Sequence, residues 1–595
     1  MSIKNSKVIR TLLKWKTPLV AAAALLLLAA AFIILYNGVF RALRLEYTIT
    51  PESDNTVTVN MRIYRNTYFS PTEIRLGKGL FEPAGYVCAD DKNNPVTIVD
   101  DEDSIILGSV GNTARYINFS YKPLIREYNG EPEHGVSTEN FIARDGEHLL
   151  YFPFFSYEEG EHLTMADRIS RIDITADVRA GWMSVVPYGQ AKEGPQTVSI
   201  KKPSWKICYD LGKSCYAFGL MRKVSVRTES GNLELLACSE TEDLSPQACE
   251  VIGSLFGYYE GLFRGPLADC PVILLPRRDD GNMNFAGIGG KATGISAPSG
   301  DKAEIGTFSH SIYTTFFENN FSNADLHYPP NLWLYKGLAS YYETVSMDYL
   351  PQPLKDERGI SSESIFRELF GRYIYMGLKE PATYRVTPAE EKEMMPAQQQ
   401  FYFYTEAPLI VRTIEGMGRV SKGRQDGVLS YLLENAGREH ISMADLMVSV
   451  VGEEEARIRG YLACEELMPY PGKALNGIED TELIIEQLDA YEQRLCSYMQ
   501  LEFPQYVYEK LYLIDVDKLA DECLAKDVRF GTDMEELIVS DFSPTLFMLL
   551  KQHKLRAMVC GYDDLTDPML RFHLLYDMDN LEKWERYMRE LGVNG

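Results

Sequence analysis

The sequence predicts a multidomain α+β protein, and three observations carry that expectation. Apolar and polar residues alternate through residues 45–245, the period lengthens to about 3.6 near residue 246, and helical runs rich in Glu, Asp and Leu fill 468–595. A chain of 595 residues is more than one hydrophobic core serves, so the three patterns are assigned to separate domains: a β-sandwich over 45–245, a mixed α/β domain over 246–467 and a helical C-terminal domain over 468–595.

Ahead of them, Pro18 to Phe40 carries no charge and as a helix would reach about 34 Å, enough to cross a bilayer once. Lys4, Lys7, Arg10, Lys14 and Lys16 precede it, whereas only Arg41 and Arg44 follow closely. The expectation is therefore a basic cytoplasmic segment over 1–17, an N-terminal transmembrane helix as signal anchor over 18–40, and a large extracytoplasmic part of a single-pass cell-membrane protein. A cleaved signal peptide competes at Ala29-Ala30-Ala31, but the apolar run continues through Phe32, Ile33, Ile34 and Leu35.

The net charge of -25 argues against nucleic acid as a partner, since polyanions repel an acidic surface. Apolar residues at 45% and charged residues at 24% are ordinary for a globular protein. All ten cysteines follow the apolar stretch, with Cys208/Cys215 and Cys238/Cys249 as near pairs in sequence, and none has Cys-x-x-Cys spacing.

Within 45–245, alternation is clearest in Thr56 to Tyr64 and in Ala114 to Tyr121. Val251, Ile252, Leu255, Phe256, Tyr259 and Leu262 then share one helical face that ends at Gly265-Pro266. A buried-type strand at Val272 to Pro276, a glycine-rich stretch from Gly287 to Gly294, and a helix from Ala303 to Glu318 follow. The glycines lack a Gly-Lys-Ser/Thr ending, which argues against a phosphate loop.

The segment Asn331-Leu-Trp-Leu-Tyr-Lys-Gly-Leu-Ala-Ser-Tyr-Tyr-Glu343 resembles a signature of the membrane alanyl aminopeptidases, zinc metallopeptidases of the gluzincin class. In that family the pattern runs close to Leu-Trp-Leu-Asn-Glu-Gly-Phe-Ala-Ser-Tyr-x-Glu. Upstream, Tyr151 to Gly160, Ile172 to Thr175 and Gly181-Trp182 look like the family's β-sandwich, while Tyr404 to Val411 looks like the segment bearing its catalytic tyrosine. The resemblance covers roughly 45–467. It implies a thermolysin-like fold for 246–467 and a zinc site built from His-Glu-x-x-His on one helix and a glutamate on the next.

The residues at those positions do not supply that site. The counterpart of His-Glu-x-x-His is His310-Ser-Ile-Tyr-Thr314, so Thr314 replaces the second imidazole and Ser311 the general base. Lys336 stands where the third ligand belongs, and an ammonium has no lone pair to donate. Glu343 is one candidate partner for the Lys336 ammonium. The stretch Gly287-Ile-Gly-Gly-Lys291 replaces the family's amino-group-binding motif, so Gly287, Gly289 and Gly290 bring no carboxylate, and Tyr404 matches the oxyanion-stabilising tyrosine.

The expected function is binding without hydrolysis: a pseudopeptidase whose cleft takes a peptide or protein segment, with no cofactor. Two alternatives remain. A divergent metallopeptidase would hold zinc through other ligands, with Glu304 or Glu318 converging on His310, or with His327 displaced toward it. A structural role in an envelope complex would use residues 468–595.

Overall fold

The structure, a computed structural model, describes residues 25–29, most of 43–152, residues 169–366 almost without break, and 401–462 with short gaps. The chain divides into two compact units. One is drawn from Met1–Gly253, Arg264–Ser299 and Thr314–Asn319, the other from Ser254–Phe263, Gly300–Tyr313 and Asn320–Gly595. In the first unit Val272–Leu275 adds in parallel to Asn232–Cys238 and so joins the strands that precede it.

In the first unit, six strands run in the order Gln196–Lys201, Ile169–Ala176, Leu43–Pro51, Val57–Arg65, Tyr116–Leu124, Glu82–Asp90. Leu43–Pro51 shows why: Leu43, Leu45, Tyr47 and Ile49 are buried, while Arg44, Glu46 and Thr48 alternate on the wetter face. Each fully buried Leu or Ile contributes about 1.5–3 kcal/mol. A five-stranded sheet, ordered Val136–Ser137, Phe141–Asp145, Cys215–Gly219, Met183–Val185, Lys192–Glu193, shares that core through Ile142, Tyr216 and Phe218.

Its other face belongs to a second core. Phe141, Ala143, Cys215 and Ala217 pack with Leu236, Cys238, Ile273 and Leu275, which belong to a further sheet ordered Met221–Arg227, Asn232–Cys238, Val272–Leu275, Thr293–Ser296, Phe285–Ala286. Cys215–Gly219 is therefore buried at every residue, and its sheet is the middle layer of three. The six cysteines described are reduced thiols and five are buried, so the near pairs Cys208/Cys215 and Cys238/Cys249 are not bridged.

Helices are numbered along the chain: α1 (Trp205–Lys213), α2 (Pro246–Leu262), α3 (Lys302–Asn320), α4 (Leu332–Ser346), α5 (Gln352–Arg358), α6 (Ala407–Lys422), α7 (Gly427–Glu434), α8 (Met443–Val450) and α9 (Glu455–Leu462). In the second unit α4 and α6 approach closely because residue 337 is glycine; a Cβ there would lie 2.9 Å from the Ala407 carbonyl oxygen. Glu415 of α6 accepts from the backbone N–H groups of Gly427 at 2.6 Å and Val428 at 2.9 Å, and so caps the start of α7.

One part of the expected fold class is corrected. Among the described residues no helix is long and apolar enough to cross a membrane. Of the expected transmembrane segment 18–40 only residues 25–29 are described, as helix. The rest of that segment, and the expected helical domain over 468–595, lie outside the described residues.

Candidate functional site

Helix α3 buries Ile305, Phe308, Ile312, Tyr313, Phe316 and Phe317, so its orientation is set by apolar residues and His310 falls at the margin. In the second unit, Tyr259 and Ser346 both hydrogen-bond Ser309, at 2.6 and 2.7 Å, and Tyr313 stacks on Tyr342 with centroids 5.4 Å apart. These contacts seat α3 against α4. They also bring the His310 Nδ1 to 2.9 Å from Glu343 Oε2. Gly306, one turn earlier on α3, leaves room for that carboxylate, since a Cβ there would lie 2.8 Å from Glu343 Oε1.

Tyr404 completes the group. It sits in a π-helical turn, Tyr402–Glu406, with its ring centroid 6.2 Å from that of His310. Phe401, Tyr402 and Phe403 are buried, whereas Tyr404 is 36% exposed; the extra residue of the π turn re-aims it. Burial, and then the Glu343 carboxylate, push its phenol above the ordinary range.

The other expected residues are placed differently. Ser311 is buried and its hydroxyl donates to the Thr307 carbonyl at 2.8 Å. Thr314, one turn past His310 on the same helix, is also buried. Lys336 is half-buried, with its ammonium 5.6 Å from the Tyr335 ring centroid. Glu343, the carboxylate expected beside Lys336, bonds His310. Glu318 bonds Lys206 at 2.9 Å, and His327 packs its ring 4.8 Å from that of Tyr335.

The glycine-rich stretch, in the first unit, is a packing device. Gly287 and Gly289 take φ values of +69° and +88°, and a Cβ on Gly287 would fall on the Cys215 backbone nitrogen. A Cβ on Gly289 would lie 2.9 Å from the Glu318 side chain, and one on Gly290 would meet the Ser214 hydroxyl. The Lys291 N–H donates to that hydroxyl at 2.7 Å.

Zinc needs three protein ligands and an open position. Among the described residues no group of three or more His, Cys, Asp or Glu side chains is placed to hold a metal ion. At the positions marked by the resemblance, His310 offers one imidazole, Thr314 a neutral hydroxyl and Lys336 a cation. What the group can do is narrower. Glu343 orients the His310 ring and leaves Nε2 as its remaining polar atom, beside a half-exposed phenol: two hydrogen-bonding groups that could engage a ligand. The Glu343 role escaped sequence reasoning, although a histidine oriented by a carboxylate is the usual arrangement at such sites and Glu343 closes the segment that begins at Asn331.

No protein-family model and no curated protein sequence matches this chain. Among solved structures it is similar to an aminopeptidase N family protein from Idiomarina loihiensis, with a TM-score of 0.45 and 11% identity over 68% of this chain and 76% of that one. It is also similar to an M1 zinc metallopeptidase from Deinococcus radiodurans, with a TM-score of 0.42 and 14% identity over 72% of this chain and 95% of that one. These neighbours belong to the family that Asn331 to Glu343 resembles. At such TM-scores the likeness carries no argument about residues or activity here.

Proposed function

We propose that this chain is a non-catalytic, aminopeptidase-like protein that binds a peptide or protein segment. The observation that supports it is Lys336. It stands on α4 inside the segment whose flanking Trp333, Leu334, Gly337, Ala339 and Ser340 set the register, at the position where the resemblance requires a carboxylate ligand. A positive side chain there opposes a divalent cation, and Thr314 cannot replace a second imidazole. Binding then falls to His310, held by Glu343, and to Tyr404. The test measures zinc in the purified protein, cleavage of aminoacyl substrates with and without chelator, and retention of a random peptide mixture by the protein and by His310→Ala. The expected result is saturable retention that His310→Ala weakens, with no stoichiometric zinc and no cleavage; stoichiometric zinc with chelator-sensitive cleavage overturns the proposal.

A second reading, a divergent metallopeptidase, is favoured by the His310–Glu343 pair, since metal-bound histidines commonly place their second nitrogen on a carboxylate. The same zinc measurement decides between them.

A further inference from the structure

The six-stranded sheet of the first unit ends in two unlike edges. Glu82–Asp90 is guarded: Pro83 has no N–H to offer, and the register shifts between Pro83 and Tyr86. Residues 94–96 cover its far end, where the Asp90 N–H donates to the Asn94 carbonyl and the Cys88 carbonyl accepts from Val96. The opposite edge, Gln196–Lys201, has neither proline nor bulge, and among the described residues it pairs only with Ile169–Ala176. The other edge strands described are two to four residues long, apart from Met221–Arg227, which carries Arg222, Lys223 and Arg227.

The register identifies the backbone groups at this open edge. The Lys202 N–H donates to the Ser170 carbonyl at 2.9 Å, and pairing runs unshifted from Arg171 with Lys201 to Ala176 with Gln196. Bonding direction alternates along an antiparallel strand. Gln196, Val198 and Ile200 therefore bond toward Ile169–Ala176, while the N–H and C=O groups of Thr197, Ser199 and Lys201, all exposed residues, point to the open edge. Val198 and Ile200 face the sandwich core but are 9% and 8% exposed, where their cross-strand partners Ile174 and Ile172 are at 0%, so the apolar layer is open at this rim. Lys201 and Lys202 are exposed and have no carboxylate partner among the described residues.

We propose that this edge binds an extended peptide segment by strand addition, antiparallel to Gln196–Lys201. The segment places a carboxylate opposite Lys201, apolar side chains opposite Ile200 and Val198, and polar ones opposite Ser199 and Thr197. From its N-terminus it reads acidic, apolar, polar, apolar, polar. Charge selects this occupant over a second copy of the chain. Gln196–Lys201 contains no acidic residue, so a copy laid along the edge offers Lys201 no carboxylate, and each copy brings a net charge of -25. The inference does not rest on His310 or Tyr404, which belong to the second unit.

The test is fluorescence anisotropy of the full chain with a labelled, capped peptide, Glu-Val-Thr-Ile-Thr, expected to bind saturably. N-methylation at Glu and both Thr, whose N–H groups face the edge in this register, abolishes binding; N-methylation at Val and Ile, whose N–H groups face away, leaves it within about twofold. Ser199→Pro removes an edge-facing N–H, spares the backbone bonds to Ile169–Ala176, and weakens the peptide about tenfold relative to Ser199→Ala, which loses only the hydroxyl. The methylated pair keeps the test usable if the proline variant does not fold. Lys201→Glu weakens binding about two- to fivefold, the size of an exposed ion pair, and prefers the same peptide begun with Lys. Absence of saturable binding, equal loss in the two methylated forms, or indifference to Ser199→Pro overturns the proposal. So does a chain that sediments as a dimer dissociated by Ser199→Pro, since the edge then belongs to a second copy.

Discussion

If the glycine-rich stretch is a packing device, adding a methyl group at Gly287 must cost stability, and the cost can be divided. Gly287 has φ +69°, and its added Cβ would fall on the Cys215 backbone nitrogen and lie 2.7 Å from the Cys215 Cα. A left-handed backbone costs an L-residue about 1–2 kcal/mol. Overpacking against main chain that cannot swing aside adds about 1–3 kcal/mol, for a total of about 2–5 kcal/mol. Gly281 provides the control, because its φ is +83° and nothing lies within 4 Å of its added Cβ. Gly281→Ala should therefore cost only the backbone share, about 1–2 kcal/mol. The assay is urea unfolding followed by amide exchange in Cys215–Gly219, the strand against which Gly287 packs, so that the first unit is read by itself. Equal losses in the two variants would refute the packing argument and return the stretch to consideration as a ligand loop.

Asp173 should give the first unit sensitivity to acid. Burial alone would raise its carboxyl, but Ser199, Arg171 and Arg44 together hold it below the ordinary range. A depressed folded value means stability that is present above about pH 3.9 and lost as pH falls through the folded value, so Asp173→Asn should unfold with a shallower dependence on acid in a pH-jump melt; an unchanged profile counts against it. Glu415→Ala should destabilise the second unit by about 2–4 kcal/mol, because it leaves the N–H groups of Gly427 and Val428 buried without an acceptor. Glu415→Gln should recover part of that loss in the same denaturant titration, and a full-sized loss in the Gln variant would point to charge rather than hydrogen bonding.

Single elements were legible in the sequence where one period dominated. The alternating run Thr56 to Tyr64 is the strand Val57–Arg65, the apolar face beginning at Val251 lies on α2, and the stretch from Ala303 to Glu318 is α3 with its ends extended. The middle-layer strand was not legible, because Cys215–Gly219 is apolar on both faces and alternation disappears when both sides are covered. The site was legible by position and not by partnership. His310, Lys336 and Tyr404 were marked from the segment they occupy, yet the bond between His310 and Glu343 depends on how α3 lies across α4.

Cys215–Gly219 has a mechanical meaning for the first unit. A wall shared by two rooms cannot be removed from one of them, and pulling this strand away from either core strips the other as well. The two cores should therefore melt as one event, with a single transition reported by Tyr216 on one side and Leu236 on the other. A substitution that merely loosens one sheet will be felt two layers away, so sequence drift along these five residues is hemmed in from both directions.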